Sequence, residues 1–315
     1  MKLTQVIRKY VRFKQSMGMS FQAAADILRA FGRIQGNIEI TEVVPKSVLA
    51  FLYGTGPVTR NWHHKFSALR VFYRFAISRG YVATSPLPST RPKVTLLHVP
   101  YIYTRDELYR LLETTSLLKD RRRSLPQTTL RLLLLFLYGT GLRLGEALSL
   151  TCRDVDLPQS LLTIRCSKFY KSRLVPIGVQ LRTQLENYRS LRLQLPLPKG
   201  EDSTYFATNQ GLPIGKRCVL FNFRRLCKLT KIQRNDQTHR QPCLHDLRHS
   251  FATHRLTSWY RAGSDVQRLL PHLSTYLGHI NVVSTQHYLS MTQELLKEAN
   301  NRFEHYALSE VSHVK

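Results

Sequence analysis

The chain has 315 residues, 43% hydrophobic and 10% aromatic, a composition that allows two ordinary folded domains and excludes a disordered or fibrous protein. Its 47 Lys and Arg against 20 Asp and Glu leave a formal charge of +27, a self-repulsion that a bound polyanion would neutralise. Nucleic acid fits that partner, because each neutralised phosphate releases counterions; an anionic membrane surface is the other reading, but no basic amphipathic helix of the membrane-surface kind stands out.

The first 92 residues hold fourteen Lys and Arg against only Asp26, Glu39 and Glu42. Within them, "NWHHKFSALRVFYRFAISRGY" repeats apolar residues at helical spacing, so that Phe66, Leu69, Tyr73 and Ala76 share one face. Arg70 and Arg74 flank the stripe, and Gly80 predicts its stop. A solvated basic face is the ordinary reading of such a helix. With the regional charge excess, residues 1–90 read instead as a helical DNA-binding domain that turns Arg70 and Arg74 toward DNA.

"TSPLPSTRPKVTLLHVPY" comes next, with prolines at 86, 88, 92 and 100 and no helical period, which predicts an extended linker over 91–103. A second domain, mostly α with a small antiparallel sheet, is expected over 104–315. Thr104 and Glu107 have capping-box spacing. "LPQTTLRLLLLFLYGTG" predicts a buried helix ended by Gly139 and Gly141; its apolar run is too short to cross a bilayer. "LLTIRCS" and "SRLVPI" read as two short strands with "KFYK" at or near their turn, and further helices are expected over Gly215–Thr230, Asp246–Tyr260 and Asp265–Leu277. The hexamer "FLYGTG" occurs at Phe51–Gly56 and Phe136–Gly141, but the residues after the two copies differ. It reads as an apolar helix end with a glycine turn, not as a duplicated domain.

Five cysteines (Cys152, Cys166, Cys218, Cys227, Cys243) form no CxxC pair, and the N-terminus lacks a signal-peptide apolar stretch. Reduced thiols in a cytoplasmic protein are expected. "WHHK" and "THRQPCLHDLRH" lack the paired spacing of tetrahedral ligands, so no metal is expected either.

Chemistry enters with "GTGLRLGEALSL", where a glycine-rich turn opens a helix and exposes free N–H groups and the positive dipole end. Arg143 falls in that first turn, and Glu146 is placed to hold it. Alone, an ordinary surface Arg–Glu pair is the commoner explanation. "LHDLRHSFATH" adds His245 and Arg248, three apart and so on neighbouring positions of one helix. "YLGHINVVSTQHYLSM" adds His279 with Tyr288 nine residues later, and Lys168 lies at the strand turn.

At these spacings "TGLRLGE", the lysine hairpin ending "SRLVPIG", "LHDLRHSFATH" and "LGH" followed by Tyr resemble the tyrosine recombinase (phage integrase) family, and the likeness extends loosely over most of the chain. The resemblance implies that Arg143 and Arg248 clamp the nonbridging oxygens of a phosphodiester, a geometry suited to the guanidinium fork. It implies that Tyr288 attacks the phosphorus, giving a 3′-phosphotyrosyl link and a 5′-hydroxyl, with Lys168 as the acid for the leaving group and His245 and His279 assisting proton transfer. Neither cofactor nor small-molecule substrate is implied. Lys171, three residues beyond Lys168, is the rival acid and otherwise a DNA contact. His249 and His254 read as packing residues or backbone-phosphate contacts, the family pattern assigns His287 no role, and Tyr260, Tyr276 and Tyr306 read as buried or half-buried structural tyrosines. The hairpin sequence "CSKFYKS" departs from the usual glycine-flanked lysine, and 31 residues separate Arg248 from His279, a long interval for the family.

The architecture implied is a two-domain clamp on double-stranded DNA. Four protomers would assemble on two sites, exchange strands through a Holliday junction, and hold one another through a C-terminal tail. A topoisomerase-like or resolvase activity, or a binding protein without catalysis, would share the fold; a relaxation assay against a two-site recombination assay separates the first of these.

Overall fold

In the computed structural model the apolar periodicity of the N-terminal third becomes four helices, α1 (Leu3–Ser16), α2 (Gln22–Gln35), α3 (Pro45–Tyr53) and α4 (Arg60–Ser78). The structure describes residues 1–19, 21–55, 58–93, 99–118, 125–165, 172–234, 241–279, 281–290 and 296–300. Thr59 caps α4, its hydroxyl accepting from the Asn61 amide at 3.3 Å. Phe66, Leu69, Tyr73 and Ala76 are buried together with Trp62 and Phe72, while Arg70 and Arg74 stay exposed. The helix ends at Ser78, with Gly80 beyond it at φ +67°. Helices α1 and α2 approach closely at Gly32, where a Cβ would come within 3.1 Å of Ile7 Cδ1. Beside that approach lies a groove of about 500 Å³, floored by Ile7 and Val11 and lined by Arg8, Arg12, Arg29 and Arg33.

The chain divides into two compact units, Met1–His98 and Val99–Lys315. In the second, α5 (Arg105–Glu113) opens on the Thr104–Glu107 capping box, and α6 (Gln127–Thr140) is buried at Leu130, Leu132, Leu133, Leu134, Phe136 and Leu137. A helix this apolar must be largely enclosed, and α6 packs against α5, α8 (Val179–Leu193) and α10 (Asp246–Arg261), with Thr128 and Arg131 left exposed. It runs through Gly139 and ends only at Gly141, so the expectation that both glycines stop it fails for the first. Gly139 remains helical and lies against α8, where a Cβ would stand 3.4 Å from Leu181 Cδ2. Gly141 takes φ +61°, and a Cβ there would approach Phe251 Cδ1 to 2.6 Å; a left-handed position this crowded needs glycine.

After the short helix α7 (Leu144–Ser149) come three antiparallel strands in the order β1 (Val155–Asp156), β2 (Leu161–Ile164), β3 (Arg173–Pro176). Ile164 pairs with Arg173 and Leu161 with Pro176. The fold closes with α9 (Lys216–Leu229), α10, α11 (Val266–Leu277), α12 (Val283–Gln286) and a 3-10 turn at His287–Ser290. Among the described residues no helix is long and apolar enough to cross a membrane.

Candidate active site

The site is organised around the C-terminal end of α11. The last carbonyls of a helix have no intrahelical donor and carry the negative end of its dipole. Here three arginines from three other elements supply the donors. Arg173 Nε, on β3, donates to Tyr276 O at 3.0 Å; Arg248 Nη2, on α10, to Leu277 O at 2.7 Å; Arg143 Nη2, before α7, to Gly278 O at 3.4 Å. Gly278 ends α11 at φ +69°, and a Cβ on it would stand 2.7 Å from Arg173 Cζ. The turn and the guanidinium therefore fit together only with glycine.

Arg143 is the N-cap residue of α7, one position earlier than the first-turn placement expected from the sequence. Its amide donates to Glu146 Oε2 at 3.1 Å and its Nη1 to Oε1 at 2.8 Å. Glu146 also receives Arg173 Nη1 at 3.3 Å and Nη2 at 3.0 Å. Burial raises the Glu146 carboxyl, but the hydrogen bonds and charge of Arg173, followed by those of Arg143, outweigh it and hold the group below its ordinary value. One carboxylate thus sits between two guanidiniums.

Arg248 is 2% exposed, and its Nη1 donates to Gly141 O at 2.8 Å. Burial, with the like charge of Arg143, brings it down to about 10, which still leaves it charged at neutral pH. Tyr288, on the 3-10 turn, is 2% exposed as well. Burial pushes its phenol up, opposed by the charge of Arg248 and a side-chain hydrogen bond with it. The His279 ring lies 6.1 Å from the Tyr288 ring at 21° between planes, and His279 Nδ1 shares a hydrogen bond with Thr285 Oγ1 at 2.7 Å. Burial first, then the charges of Arg248, Arg143 and Arg173, bring His279 down to about 4. Its imidazole is neutral at pH 7.

Arg143, Arg248, His279 and Tyr288 are therefore brought together. His245 stands at the exposed start of α10 and reaches the group through His249, whose ring is 4.9 Å from that of His245 and 5.5 Å from that of Tyr288. Lys168 and Lys171 lie outside the described residues, as does Tyr306. Arg70 and Arg74 belong to the N-terminal unit. Tyr276 donates its hydroxyl to Pro176 O at 3.2 Å and is pushed up to about 12 by burial; His254 shares a hydrogen bond with the Tyr138 hydroxyl at 2.9 Å. Among the described residues no group of three His, Cys, Asp or Glu is placed to hold a metal ion.

Sequence reading missed Arg173, Thr285 and the intermediate place of His249. For Arg173 a signal existed: strand alternation puts it on the same face as buried Val175.

The phage integrase family model matches residues 103–294. The putative integrase/recombinase y4rB of Sinorhizobium fredii is 33% identical over 306 residues, covering 95% of this chain and 96% of that protein. Tyrosine recombinase XerC of Oceanobacillus iheyensis is 32% identical over 289 residues, covering 87% of this chain and 85% of its own. Two solved structures share the fold. A lambda integrase tetramer bound to a Holliday junction gives a TM-score of 0.67 at 18% identity, covering 91% of this chain and 77% of that one. The Tn1549 transposon integrase in complex with transposon right end DNA gives 0.70 at 16% identity, covering 98% and 100%.

Proposed function

This chain belongs to the phage integrase family, and from that premise we propose that Tyr288 is its nucleophile and that Arg143 and Arg248 hold the phosphate it attacks. The protein is a tyrosine site-specific recombinase acting on double-stranded DNA. The observation that carries the assignment is a buried phenol whose electrostatic surroundings are dominated by a buried, charged guanidinium, with a second guanidinium tied to the same helix end as the first.

In this reading Tyr288 gives its proton up toward His245 as its oxygen bonds to phosphorus and the 5′-oxygen leaves. Negative charge grows on the nonbridging oxygens, and preorganised donors commonly contribute about 2.7–4 kcal/mol each at such a centre. Neutral His279 accepts or donates one hydrogen bond rather than adding charge. His245, at the open end, exchanges protons with solvent. Lys168, with Lys171 as its rival, protonates the leaving oxygen. Because the phosphotyrosyl bond conserves the energy of the phosphodiester, a second 5′-hydroxyl reverses the step and joins a new partner. Four protomers acting on two sites would carry this through a Holliday junction, in the cytoplasm. The N-terminal unit would supply DNA contacts through Arg70, Arg74 and the arginine groove between α1 and α2.

Covalent capture tests the nucleophile. Incubation with DNA fragments carrying the protein's own site, followed by denaturation, should leave protein-linked DNA ends at one recurrent sequence, and Tyr288→Phe should abolish them. Adducts that persist in the variant would assign the chemistry to another residue.

A further inference from the structure

We propose that Arg173 is a positioning residue for strand cleavage, fixing Arg143 through Glu146 and fixing the Gly278–His279 turn through Tyr276 O. The proposal rests on the reading of Arg143 as a phosphate-holding group. Arg173 itself is engaged within the protein: its side chain is 10% exposed, and each of its three nitrogens donates to a protein oxygen. It spans three elements separated in sequence, from β3 to the first turn of α7 and the end of α11.

That geometry has two consequences. Glu146 has two cationic partners, which share its two oxygens. Remove Arg173 and the carboxylate, still buried, has Arg143 alone to neutralise it. The Arg143 fork then closes bidentately on Glu146, the geometry it would otherwise offer to a phosphate. The second consequence concerns distance. The fork ties Glu146 to the carbonyl two residues before Gly278, and the guanidinium packs where a Cβ of Gly278 would lie. This packing sets how far the His279 turn stands from the Arg143 guanidinium. Lysine offers one nitrogen where arginine offers three, so it neutralises Glu146 without holding Tyr276 O.

The test compares wild type, Arg173→Ala, Arg173→Lys and the double variant Arg173→Ala with Glu146→Gln. Four readouts are taken: melting temperature, equilibrium binding to intact site DNA, the single-turnover rate of covalent adduct formation on a nicked site, and the pH dependence of that rate. The expected result is a roughly 10–100-fold slower cleavage for Arg173→Ala, the range seen when an orienting partner is removed, with DNA binding nearly unchanged. Adding Glu146→Gln should recover part of the rate, because a neutral amide no longer captures Arg143. Arg173→Lys should fall between Ala and wild type.

Unchanged cleavage in Arg173→Ala overturns the proposal, as does a double variant no faster than the single one. Should Arg173→Ala fail to fold, Arg173→Lys decides: a wild-type rate and pH profile in it overturns the positioning role. Wild-type protein that forms no adduct on its site would instead sink the assignment of the phosphate site on which this rests.

Discussion

Charge buried without a partner is costly, and each buried guanidinium here is matched to acceptors that cannot leave. Arg248 holds Gly141 O and Leu277 O, and Arg173 holds Glu146 and Tyr276 O. Burial, with the positive field of these arginines added to it, disfavours the charged form of His279, and its ionisation should register in stability. The unfolded chain binds this proton near pH 6.5, the folded chain only near pH 4. Between those values the unfolded state carries more protons, so the His279 contribution is complete above pH 6.5 and is lost as pH falls toward 4. Urea unfolding of wild type and His279→Asn at a series of pH values checks it. The stability of wild type relative to the variant should decline from pH 7.5 to pH 4.5; a constant difference would show that His279 titrates normally.

Helix ends and approaches decide more here than helix interiors. The groove between α1 and α2 lies beside the contact of Gly32 with Ile7, and it gathers arginines at i, i+4 spacing from both helices. If the groove holds DNA backbone, replacing Arg8 and Arg12 with Ala should flatten the plot of log binding constant against log salt by about 0.9 for each phosphate no longer neutralised. Arg70 and Arg74 on α4, replaced in parallel, should do the same; a pair that leaves the slope untouched does not face DNA. Elements with strong local signals were legible in the sequence. α4 announces itself by its apolar stripe, α5 by its capping box, and β2 and β3 by short apolar runs either side of a polar turn. α8 carries few apolar contacts of its own: Leu185, Tyr188 and the stem of Arg192 are buried, and the Arg192 head donates to Thr204 O, Pro196 O and Gly211 O. Such a helix has little pattern to read. In β1, two residues are too few for any period. The site divides the same way. Arg143, His245, Arg248, His279 and Tyr288 stand in recognisable strings, whereas the link between Arg173 and Glu146 is a tertiary pairing that no local spacing reveals.

At the scale of the molecule, a formal charge of +27 strains compactness through self-repulsion, and bound DNA relieves that strain. Segments after Tyr288 add a further requirement. "MTQELLKEANNRFEHYALSEV" has helical spacing, and its residues 291–295 and 301–311 lie outside the described part of the chain. Deleting Arg302–Lys315 should weaken cooperative assembly on paired sites more than binding of one protomer to one site, as read by gel mobility across protein concentrations. Equal loss of both would deny the tail a role between protomers. The end of α11 confers one further property. The three arginine hydrogen bonds there are made to main-chain oxygens, and an oxygen present in every residue cannot be mutated away. Drift at Tyr276 or Leu277 therefore leaves the seats of the arginines in place so long as the helix ends where it does. An insertion or deletion that shifts that end by one residue removes all three seats together. The architecture makes the seats at Tyr276 and Leu277 independent of side-chain identity and brittle to changes in length.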